Sequence, residues 1–159
     1  MTASLERPAR GAGSERGRLR QRIAVLGRRR RGVALDALAA VEPASEPELR
    51  RALFDLGTRA WRHADLCRAH AARIGRARAS EAGREEAGLL FEHGLVAGRT
   101  RWERLGPSSF LAHLCLVGGD TARRLDAGRI AGDPETEALF ARVRSEGKAD
   151  ADACCTHLL

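Results

Sequence analysis

His63, Cys67 and His70 are the residues whose types and spacing most directly suggest chemistry. Steps of four and three place two imidazoles and a thiol along one helix face. A thiolate with imidazoles suits zinc or copper, and a bundle interior would bring further ligands from facing helices. His93 on the next helix, and His113 or Cys115 on the one after, are the candidates for that role. The same pattern also fits a core without metal, because cysteine buries readily and an inward histidine can be satisfied by a carboxylate or a carbonyl. Imidazoles buried in that way would have lowered pKa values, and acid would destabilise the domain by charging them.

Charge is the second feature with chemical content. The 159-residue chain has a net charge of +7, but residues 1–31 hold ten arginines and two acids while the remainder is close to neutral. Arg16, Arg18, Arg20 and Arg22 surround Leu19, Ile23 and Leu26 at helical spacing, and Arg28, Arg29, Arg30 and Arg31 follow as a run. Such a segment can neutralise phosphates with release of counterions, which makes binding salt-sensitive and independent of sequence. It can equally lie on an anionic membrane or meet an acidic groove on a protein. A targeting peptide fits less well, since Glu6 and Glu15 fall where such peptides avoid acids. The plain alternative is a solvated tail. No aromatic residue lies in this arm, so it cannot stack on bases.

Other constellations are weaker. Cys154, Cys155 and His157 near the C-terminus could bind a soft metal or respond to oxidants, but Thr156 occupies the position where a prenylation box needs its cysteine. Ser109, His113 and Asp120 offer the residue types for acyl transfer without any nucleophile elbow. Glu85, Glu86, Glu92 and His93 lack the Glu-x-x-His spacing of di-iron bundles, because Leu90 stands three before His93. Walker A, GxGxxG and HExxH motifs are absent, so nucleotide hydrolysis, dinucleotide use and zinc proteolysis have no support. The four cysteines show neither CxxC nor zinc-ribbon spacing, and without a secretory signal reduced thiols are expected.

The elements that must position these residues are helical. With four Phe, two Trp and no Tyr, the buried volume falls to Leu, Ala and Val, a palette that favours helices. A short basic amphipathic helix is expected within residues 16–26, interrupted by Gly27 and Gly32, with a second apolar stretch from 33 to 41. Ser45 followed by Pro47 and Glu48 marks the clearest helix start. From there Leu49, Leu53, Leu56, Ala60, His63, Cys67, His70 and Ile74 form one inward seam. A third helix is expected from about residue 80 to 105, and Gly106 with Pro107 breaks it. A fourth carries Phe110, Leu111, Leu114 and Val117 and ends near Gly118, Gly119 and Asp120, with a short continuation through Leu125. Asp133 and Pro134 open a last helix that closes near Gly147.

These elements predict an all-α, single-domain helical bundle of four to five helices with a flexible basic N-terminal arm. The expected divisions are an arm over 1–31, a bundle over 32–147 and a Cys/His-containing tail over 148–159. No stretch approaches the roughly eighteen apolar residues that span a bilayer, so a soluble, cytoplasmic chain is expected. The leading functional expectation is a non-enzymatic binding or adaptor module engaging a protein or nucleic acid, with the arginine-rich arm adding electrostatic affinity. The alternative is a metal-binding or redox-responsive bundle using His63, Cys67 and His70, and an enzyme stands third. A helical seam this regular could close within one chain or between two, so a homodimer is also an expectation.

Overall fold

A computed structural model describes residues 10–75, 99–126 and 133–158. Five α-helices appear among them: α1 (Arg10–Val41), α2 (Pro47–Ile74), α3 (Arg101–Leu105), α4 (Pro107–Asp126) and α5 (Pro134–Cys155), closed by a 3₁₀ turn over Thr156–Leu158. The fold is an all-α, single-domain bundle. The five-residue turn after α1 sends α2 back along it, and this pair is the largest helix interface. α5 packs on both α2 and α4. No helix among the described residues is long and apolar enough to cross a membrane.

The α2 seam lies where its spacing puts it, with Leu49, Leu53, Leu56, Ala60, His63, Cys67 and His70 all buried. The helix begins at Pro47, one residue later than a Ser45 cap would set it, and Glu46 is its N-cap. Proline is tolerated there because the first turn has no intrahelical use for its amide. Asp133 and Pro134 open α5 in the same manner.

Three expected boundaries move. Gly27 and Gly32 do not interrupt α1, which runs unbroken for 32 residues across the division set at residue 31. Ile23 and Leu26 are buried against Cys67, Ala71, Phe140 and Val143, and this tertiary burial outweighs the roughly 1 kcal/mol helix cost of each glycine. α4 continues through Gly118 and Gly119 to Asp126. α5 passes Gly147 and ends at Cys155, so most of the segment expected to be a tail is helical. At three of these glycines the missing Cβ makes room for a neighbour, and a Cβ on Gly27 would lie 3.0 Å from that of Cys67. A Cβ on Gly118 would lie 2.8 Å from that of Ala151, and one on Gly147 would lie 3.3 Å from an Arg30 guanidinium nitrogen.

The third expected helix meets the described residues only at its C-terminal end. There Thr100 caps the short α3 through a reciprocal capping box with Glu103, and Gly106, at φ 77°, turns the chain into α4. Residues 76–98, with His93 and the acidic cluster, lie outside the described residues, as do residues 1–9.

The core has two apolar parts. One gathers Val33, Ala37, Leu49, Leu53, Leu56, Trp102, Phe110, Leu111, Leu114 and Cys154, and the other Ile23, Leu26, Cys67, Ala71, Phe140 and Val143. Between these clusters α1, α2 and α5 bring polar residues together, Arg30, then Arg59 and His63, then Glu146 and Asp150, among the small buried residues Ala64, Gly147 and Ala151.

Candidate functional site

This polar layer holds most of the buried charge. Asp150, 6% exposed, accepts a hydrogen bond from Arg59 at 2.6 Å and faces Arg30 across 3.7 Å, while Arg30 is only 2% exposed. Burial pushes the Asp150 carboxyl up to about 6 in spite of Arg59 and Arg30. His63 is fully buried, and its Nε2 donates to Glu146 at 2.8 Å. Burial, reinforced by Arg30, lowers the imidazole to about 4 although Glu146 pulls the other way. Burial would raise Glu146, but hydrogen bonds from His63 and Arg142 outweigh it and leave its pKa lowered. The hydrogen bond to Glu146 assigns the His63 proton to Nε2.

His70 is bonded on both sides. Arg73 donates to its Nδ1 at 2.7 Å, its Nε2 donates to Thr136 Oγ1 at 2.7 Å, and Thr136 in turn donates to Asp133. This relay fixes the ring's tautomer and ties the end of α2 to the start of α5. Cys67 is buried beside these histidines, and burial pushes its thiol up to about 12, which keeps it protonated and a poor ligand or nucleophile. His113 sits on α4, where its Nε2 accepts from Arg101 at 2.6 Å, and Arg101 also pairs with the buried Asp36 at 3.2 Å.

The structure therefore places His63, Cys67 and His70 on one inward face, as their spacing implies, but gives each a different environment. Among the described residues no group of three or more His, Cys, Asp or Glu side chains is placed to hold a metal ion.

The expectation of reduced thiols fails at Cys115 and Cys155, which form a disulfide with Cα atoms 6.3 Å apart. The extension of α5 past Gly147 is what carries Cys155 to α4, and it buries the free Cys154 in the core. Alkylation of the denatured, unreduced protein should modify only Cys67 and Cys154, whereas reduction should expose all four cysteines. Modification of all four without reductant, followed by peptide mapping, would remove the disulfide.

The arginines of the N-terminal segment divide into two sets. Those of the 28–31 run serve the fold: Arg29 pairs with Asp120 at 3.1 Å, Arg30 joins the polar layer, and Arg31 lies 3.7 Å from the Trp61 ring centroid and 3.8 Å from Asp65. Arg28 is half-buried and also has a partner. Of the earlier residues Arg20 is half-buried against Gly75, while Arg16, Arg18 and Arg22 are exposed. Arg18 and Arg22 stand at the mouth of a groove of about 530 Å³ between α1, α4 and α5, floored by Val25, Leu26, Leu125 and Phe140. A groove of that volume lies within the usual range for ligand sites. Sequence reasoning found its arginines but missed its floor, because Leu125 and Phe140 come from helices distant in the chain.

No protein family, characterised protein or solved structure matches this chain.

Proposed function

We propose that this chain is a non-enzymatic helical binding module that engages an anionic macromolecular partner, protein or nucleic acid, through the first half of α1. The observation that carries the reading is the division among the arginines. Those from 28 to 31 have partners in the fold or lie within it, whereas Arg16, Arg18 and Arg22 are exposed and two of them flank an apolar-floored groove. Exposed cations beside apolar surface supply electrostatic attraction together with area to bury.

The test is to titrate a labelled acidic peptide and a labelled DNA duplex into the wild-type chain and into a variant carrying Arg16→Glu, Arg18→Glu and Arg22→Glu. Affinity for at least one anion should fall by about tenfold or more between about 50 and 200 mM salt. The charge-reversed variant should lose a comparable amount while keeping its helical circular dichroism. Binding that ignores both salt and charge reversal would refute the reading.

A further inference from the structure

We infer that the groove between α1, α4 and α5 is a docking site for an acidic amphipathic helix of a partner protein, an inference that rests on the binding-module reading above. Arg18, Arg22, Val25 and Arg29 fall at steps of four, three and four along α1, so the α1 wall is one stripe of a helix and not a scatter of loop residues. These eleven steps of α-helix extend about 17 Å, the length of some three turns of a partner helix laid alongside. The floor beneath is apolar, with half-buried Val25 and Leu125 as its accessible surface and Leu26 and Phe140 almost fully buried at its base.

A helix with apolar residues at i, i+3, i+4 and i+7 would place them on that floor, while flanking carboxylates meet Arg18 and Arg22 at the mouth. Arg29, further along the wall, is held in place and offset by Asp120, so the uncompensated positive charge lies at Arg18 and Arg22. Charge complementarity therefore demands acid on the partner, and the floor demands an apolar face. A phosphate backbone supplies the first without the second, and Phe140 is too deeply buried to stack on a base.

The probe is a synthetic peptide of about four helical turns with leucines on one face and glutamates elsewhere. It is compared with a scrambled peptide of identical composition whose leucines share no face, and with a DNA duplex. The full chain should bind the amphipathic peptide at least about tenfold more tightly than the scrambled one. Val25→Asn, on the half-buried floor, and Arg22→Glu, at the exposed mouth, should each weaken that binding by about tenfold. Should Val25→Asn fail to fold, Arg22→Glu with Arg18→Glu keeps the test open, since both side chains are exposed. Equal binding of the two peptides, or indifference to these substitutions, would overturn the docking site. Duplex or scrambled-peptide binding that still depends on salt and on α1 charge would then leave the broader reading in place. Absence of binding to all three probes would remove both.

Discussion

Replacing Asp150 with alanine is expected to destabilise the fold by about 3–5 kcal/mol. The carboxylate is 6% exposed and is the group that faces Arg30, whose guanidinium is 2% exposed and sits where Gly147 leaves space for it. Without Asp150 that charge stays buried with only the more weakly interacting Glu146 to offset its lost hydration. Arg59 suffers less, because its side chain is 37% exposed and can turn to water. The double variant Arg30→Met with Asp150→Leu should recover most of the loss, since filling a buried ion-pair site with apolar groups of similar size is often neutral or stabilising. Urea midpoints of Arg30→Met, Asp150→Leu and the double variant measure the coupling directly. A cost below about 1 kcal/mol for Asp150→Ala would mean that Arg30 reaches water or another anion.

The polar layer also explains how α1, α2 and α5 keep one register. A slip of one turn along any of them would bring Arg30, His63 or Asp150 against the apolar residues above or below. Of this layer the inward His63 with a carboxylate partner is legible in the sequence, and Arg30 and Asp150 are not. An arginine inside a basic run defaults to solvent on hydropathy grounds, and nothing local distinguishes Arg30 from Arg28 or Arg29. Only the third dimension supplies Asp150 from a helix 120 positions away.

What was readable follows from local rules. The α2 seam is a regular alternation of four and three steps, and the prolines at 47 and 134 sit where a helix start accepts them. Glycine is ambiguous in the sequence for a definite reason. A glycine in a helical pattern either ends the helix or admits a close neighbour, and the sequence alone does not separate the two. Gly27, Gly118 and Gly147 all belong to the second kind, meeting Cys67, Ala151 and Arg30. Thr100 is the converse case, since its Thr-x-x-Glu capping box is a local helix start that lies inside the periodic stretch expected as one helix.

The pH dependence of stability should be nearly flat between about pH 6.5 and 4 because two buried groups pull in opposite directions. His63 titrates near 4 in the folded chain and near 6.5 when unfolded, so the unfolded state takes up a proton first as pH falls. That uptake removes roughly 3 kcal/mol of stability across the window. Asp150 titrates near 6 when folded and near 3.8 when unfolded. Its folded state takes up the proton first, and roughly 3 kcal/mol is gained as pH falls through the same range. The groups facing His63 are Glu146, Arg142 and Arg30, and they do not reverse the sign set by burial. Asp150→Asn should therefore turn a flat profile into one that falls by about 3 kcal/mol on acidification, and His63→Gln into one that rises by a similar amount. Below about pH 4 the hydrogen-bonded Glu146, whose pKa is lowered, should add its own acid lability to the wild type and to Asp150→Asn. Urea midpoints at pH 6.5, 5 and 4 for the three proteins decide the matter. Parallel profiles would show that neither group is buried in the protonation state assigned to it, and opposed profiles would establish that the bundle carries a compensated pair at its centre.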